Sequence, residues 1–205
     1  MLARACHWLR CSRGVRVRGG GAVLRGGGLR QSYPGGFALD QAHTPHITVL
    51  QRYVRTANLG QLYEAVGKVI AQTDFSALSF RPARAVHIEA APEIGLAGIA
   101  LAPSPAVLDF QARLFDAAAP FTEPGGTAAA YVTDAAEPDI SQPTLDYIEH
   151  YVPDRSGPNY FAHITAGLAK ESDLAAIEAE PVEDFTVHPA ALAVYHLGNN
   201  CTART

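Results

Sequence analysis

The tripeptide His-Ile-Thr occurs twice in this chain, at His46-Ile47-Thr48 and His163-Ile164-Thr165, each time inside a run rich in β-branched and apolar residues. Such runs favour pleated sheet. The context of each copy repeats as well. After a strand over 45–53, Asn58 is placed to cap a helix reaching about Gln72, with Leu59, Leu62, Val66, Val69 and Ile70 at helical spacing. Strands are then expected at 85–90 and 96–102, around a turn marked by Pro92 and Gly95. After a strand over 160–168, Ser172 is placed to cap a short helix carrying Leu174 and Ile177, and strands are expected at 182–188 and 190–197, broken by Pro189. Between the two units the pattern predicts a helix over 105–118, a strand over 127–133 and a helix over 143–152, with Ser104-Pro105 and Gln142-Pro143 as helix starts. Strand, helix, strand, strand used twice predicts an α+β fold of two pseudo-symmetric lobes, with antiparallel sheets flanked by helices around a central cleft.

Charge divides the chain differently. Of 205 residues, the first 39 carry seven Arg and no acid, which leaves nine basic against twenty acidic side chains over residues 40–205, a net of −11. Such an acidic body argues against binding a long nucleic-acid tract, because phosphate backbones are gripped through Lys and Arg. Residues 1–32 therefore read as a disordered, targeting or mis-started head, and 33–205 as a single bilobal domain. The head has the charge of an organellar import signal but little Ser and many glycines. A cytoplasmic monomer is the favoured reading, with organellar import the alternative and no membrane span expected. Cys6, Cys11 and Cys201 form neither a disulfide framework nor a zinc pattern.

In a strand, side chains i and i+2 share a face. His46 and Thr48 thus point one way, as do His163 and Thr165. Were the two lobes to meet across a cleft, two imidazoles and two hydroxyls would line it. That set suits the cleavage of a phosphodiester without a metal. One neutral His takes a proton from the attacking oxygen and a protonated His gives one to the leaving oxygen. Thr hydroxyls bond the non-bridging oxygens as charge builds there. Arg52 and Tyr53 after the first motif, and Tyr160 and Phe161 before the second, are the candidates to meet a phosphate or stack on a base. His43 lies three residues before His46, but i and i+3 face opposite ways in a strand, so no metal site and no cofactor is expected. His87, His150, His188 and His196 read as residues with ordinary partners, with His87 and His196 the two that could line the cleft.

The segments Pro45-His46-Ile47-Thr48-Val49 and Ala162-His163-Ile164-Thr165-Ala166 resemble the twin His-x-Thr signature of the 2H phosphoesterase superfamily, the 2′-5′ RNA ligase-like and cyclic-nucleotide phosphodiesterase proteins. The resemblance runs over about 33–200 and includes Gly36-Phe37-Ala38-Leu39-Asp40 and Tyr195-His196-Leu197-Gly198. It implies a bilobal fold and metal-independent cleavage of cyclic or 2′-5′ phosphodiesters in small nucleotides or RNA ends. It also implies that His46 and His163 are acid and base, and that Thr48 and Thr165 hold the phosphate. Such proteins have a strand ahead of the first motif, where residues 15–30 offer only a glycine-broken candidate, and a small-residue run where this chain has Asn199-Asn200-Cys201. The competing readings are a binding module that holds a nucleotide in the same cleft without turnover, and a metal-dependent hydrolase using His43 and His46.

Overall fold

A computed structural model describes residues 2–11, 26–34, 36, 46–133, 135, 138–179, 181–198 and 203–204, without side chains for 2–11, 26–27, 90–91, 177, 190 and 203–204. The elements in chain order are β1 (Leu2–Cys11), α1 (Gly26–Ser32), β2 (His46–Arg55), α2 (Leu59–Ala71), β3 (Phe80–Ala91) and β4 (Ile94–Pro103). They continue with α3 (Pro105–Ala118), α4 (Gln142–Glu149), α5 (Tyr151–Asp154), β5 (His163–Lys170), α6 (Glu171–Glu178), β6 (Pro189–Leu197) and β7 (Ala203–Arg204). Helices and antiparallel sheets make the fold α+β, as the sequence pattern implies.

One sheet runs β2-β1-β6-β7 and the other β3-β4-β5. Each therefore takes strands from both halves of the repeat: β2 and β6 in the first, β3, β4 and β5 in the second. The division into one lobe per repeat unit does not appear. The second unit also lacks its third element, since 182–188 makes only a single bridge, Val187 to Phe80. The stretch 127–133 is not a strand. Three consecutive alanines form one 3₁₀ turn at Ala128–Ala130, and Val132 N–H then meets the Leu197 carbonyl at 2.9 Å. Alanine is a poor strand former, and Gly125-Gly126 just before it adds no pairing surface.

The head expected to stand outside the fold supplies two elements. Residues 2–11 are the strand between β2 and β6, paired antiparallel with both, and α1 buries Leu29 completely. Residues 2–11 thus supply a strand ahead of the first motif, and 12–25 lie outside the described residues. No described helix is long and apolar enough to cross a membrane.

α3 shows how the pattern makes the core. Pro105 opens the helix, where its missing N–H costs nothing. Val107, Phe110, Gln111, Leu114 and Ala118 then fall on one buried stripe. This stripe joins the main core with Ile47, Val49 and Leu50 of β2, Leu62 and Val66 of α2, and Ile99 and Ile164 of the second sheet. A smaller cluster gathers Tyr53, Ala130, Tyr131, Ile148 and Leu197.

Both motif strands carry the same irregularity. Opposite β1, positions 7 and 8 pair with Leu50 and Thr48, so Val49 is an extra residue. Opposite β4, Ala97 and Gly98 pair with Gly167 and Thr165, so Ala166 is extra. Each β-bulge falls one residue after the motif threonine. Bulges bend a strand, sharpen its twist and re-aim the side chains beside them. Gly98 permits the second one, because a methyl group there would stand 2.7 Å from the Ile164 carbonyl oxygen. A backbone atom cannot rotate away, so Gly98→Ala is expected to cost about 1–3 kcal/mol. Denaturant titration checks this, and a midpoint equal to wild type would contradict it.

Candidate active site

The two His-x-Thr segments open β2 and β5 with one shared burial pattern. His46, Thr48, His163 and Thr165 are half-exposed, while Ile47, Val49, Ile164 and Ala166 are buried. Alternation fixes this: the isoleucines fill the core and turn the His and Thr positions to the wetter face. A direct bond links the segments. Tyr160 donates its hydroxyl to the Thr48 carbonyl at 2.9 Å, three residues before His163. Tyr160 is 9% exposed, and burial keeps its phenol protonated far above the usual range. A ring so enclosed offers no face to a base, so Tyr160 is a strut between the motif strands rather than the stacking residue expected.

His163 is held on two sides. Its Nδ1–H donates to the Phe161 carbonyl at 3.0 Å, and the Phe161 ring stacks on the imidazole with centroids 5.1 Å apart and planes 28° apart. Since the carbonyl can only accept, the neutral ring carries its proton on Nδ1 and leaves Nε2 as a base. Burial lowers the pKa of His163; the Phe161 carbonyl works against this, and the positive charge of Arg155 adds to it.

Of the remaining candidates, Tyr53 is 2% exposed and joins the smaller cluster, its hydroxyl 3.1 Å from that of Tyr131 and donating to the Leu145 carbonyl at 3.3 Å. It packs, and cannot stack on a ligand. Arg52 is half-buried near Glu149; burial lowers its pKa and the carboxylate pulls the other way. Phe161 lies against a motif histidine. The other described histidines have ordinary partners. His188 Nδ1 meets the Leu78 carbonyl at 3.0 Å, His196 Nε2 the Ala130 carbonyl at 3.1 Å, and His150 Nδ1 the Asp146 carbonyl at 2.9 Å. His87 lies between Glu171 and Glu178, with nitrogen–oxygen distances of 3.5 and 3.1 Å. Among the described residues no group of three or more His, Cys, Asp and Glu could hold a metal ion. His43, residues 37–40 and Asn199-Asn200-Cys201 lie outside the described residues.

Gln111 escaped the sequence reading. It is 1% exposed, and its Nε2 donates both to the Val49 carbonyl at 3.1 Å and to the Arg155 carbonyl at 3.3 Å. One amide thus fastens the turn after α5 to the bulge of the first motif. An amide on the apolar stripe of α3 was the available signal, because a buried polar group needs partners.

No family model matches the sequence, and no curated protein matches it. Among solved structures the fold is similar to Usb1 of Kluyveromyces marxianus, with 11% identity, a TM-score of 0.46, and 95% of this chain and 98% of that chain covered. The same protein with uridine monophosphate gives 10% identity and a TM-score of 0.47 over the same shares.

Proposed function

We propose that the protein is a phosphoesterase that cleaves cyclic (2′,3′-type) or 2′-5′ phosphodiesters of small nucleotides or RNA ends by two-histidine acid/base catalysis. The observation that carries this reading is the matched pair of His-x-Thr strand openings, alike in burial, each followed at once by a bulge, and joined by the Tyr160–Thr48 bond. Coincidence explains one such strand more easily than two.

In this reading His163 is the general base, because its Nδ1 proton is committed to Phe161 and burial favours the neutral ring. For a 2′,3′-cyclic phosphate, Nε2 of His163 takes a proton from water as the water oxygen bonds phosphorus. His46 gives its proton to the ribose oxygen that leaves, and a phosphate monoester and a free hydroxyl result. Thr48 and Thr165 donate hydroxyl hydrogens to the non-bridging oxygens, where negative charge grows. The two histidines handle both protons, so the chemistry calls for no metal. The alternative of a binding module without turnover rests on the atypical termini; β1 supplies a strand ahead of the first motif, and Asn199-Asn200-Cys201 lie outside the described residues.

The test is an assay in EDTA against 2′,3′-cyclic nucleotides and 2′-5′ dinucleotides. Turnover by wild type that survives chelation is expected. Turnover lost on chelation, or retained in full by His46→Ala, overturns the proposal.

A further inference from the structure

α4, α5 and the turn after them enclose an open cavity of about 350 Å³ lined by Pro143, Asp146, Tyr147, His150, Asp154 and Arg155. That size lies at the low end for small-ligand sites. Arg155 stands where this cavity and the motif strands meet. Its carbonyl shares the Gln111 amide with Val49, the bulge residue next to Thr48, and its charge acts on His163. Its guanidinium carbon lies 5.7 Å from the Tyr147 ring centroid, within cation–π reach, and among the described residues no carboxylate forms an ion pair with it.

Apart from Pro143 and Tyr147, the rest of the lining is acidic or accepting. The Asp146 carboxylate accepts from Gln142 Nε2 at 2.7 Å, and the His150 Nδ1–H is spent on the Asp146 carbonyl. The Asp154 carboxylate and His150 Nε2 then remain as acceptors. Two carboxylates repel a second phosphate but accept from ribose hydroxyls and base amino groups. A guanidinium lining such a cavity suits the single phosphate of a terminal nucleoside, and its plane also suits stacking on a base.

We propose that this cavity is the subsite for the terminal nucleoside of the substrate, with Arg155, backed by Tyr147, holding the phosphodiester. The inference rests on the phosphoesterase reading for its substrate class. It accounts for specificity by sign: one phosphate fits at Arg155, and a triphosphate meets Asp146 and Asp154.

The test is a binding titration with deoxyadenylyl-(3′-5′)-deoxyadenosine, which holds neither a 2′,3′-cyclic nor a 2′-5′ phosphodiester, so that binding is read without turnover. Arg155→Met keeps the aliphatic stem and the backbone bond to Gln111. It is expected to weaken binding about ten- to hundredfold, the loss of a charged hydrogen bond. Adenosine triphosphate should bind wild type more weakly than the dinucleotide does, and Asp154→Asn should narrow that gap. Dinucleotide binding by Arg155→Met equal to wild type, or tighter binding of the triphosphate by wild type, overturns the subsite. Full turnover in His46→Ala beside lost binding in Arg155→Met would remove the catalytic reading and leave the subsite standing.

Discussion

Replacing His163 with Ala is expected to lower kcat on a 2′,3′-cyclic nucleotide by about 10²–10⁴-fold, the usual contribution of a positioned acid or base. The fold should survive, because the imidazole's direct ties are a single bond to the neighbouring Phe161 carbonyl and a stacked ring. In the parent protein the pH dependence carries the signature of that environment. Burial, reinforced by Arg155, lowers the pKa of His163, so the base form persists below the ordinary value of about 6.5. The acid limb of kcat/KM is therefore expected to fall only under that value. Arg155→Met should move the limb upward, because removing a nearby positive charge favours the imidazolium. Stability follows the same sign. A pKa lower in the folded than in the unfolded state means that the unfolded chain binds more protons between the two values. His163 thus contributes stability that is fully present above about pH 6.5 and is lost as pH falls from there to its folded-state pKa. Rate profiles and melts of wild type and His163→Ala check both statements. An acid limb centred above pH 6.5 would contradict the neutral-base assignment.

The largest expected loss of stability comes from a residue outside both motifs. Phe110 is completely buried on α3 and packs edge-to-face on Phe75, with centroids 5.8 Å apart. Phe110→Ala is expected to cost about 3–5 kcal/mol, the removed transfer energy plus that of the cavity left behind. Its neighbour in sequence is Gln111, so a loosened α3 also loosens the amide that holds Val49 and Arg155 together. Activity should therefore decline before the global transition on heating Phe110→Ala, whereas in wild type the two should coincide. Parallel melting and activity curves decide the matter.

Where local chemistry chooses the element, the residues announce it. Ser104-Pro105 opens α3 at Pro105 as the pattern requires, and the helix runs to Ala118. The two motif strands and the hairpin of β3 and β4 are equally plain, with Glu93 taking the left-handed turn position (φ 63°) next to Pro92. The failures share one cause. Residues 2–11 hold no glycine, but Ala and Arg are weak strand formers, and the glycine-rich stretch that follows dominated the composition. The segment is a strand because it has a partner on each side, and partners are invisible in local pattern. The motif residues were legible because two copies occur. Arg155 was not, since nothing around Pro153-Asp154-Arg155 marks it until Gln111 is seen to reach its carbonyl.

The placement of β1 between β2 and β6 also governs how the molecule comes together. Position 6 pairs with Tyr195, and position 9 with Leu192, so nearly the whole chain separates the two partners. Contacts of such sequence separation close slowly, because the loop entropy must be met before the pairing rewards it. During synthesis β3 and β4 can pair as soon as they emerge, and β1 can pair with β2, whereas the other edge of β1 must wait for β6. The first motif histidine, at the start of β2, can thus pair with β1 early, but the sheet that holds it is completed only after nearly all of the chain has been made.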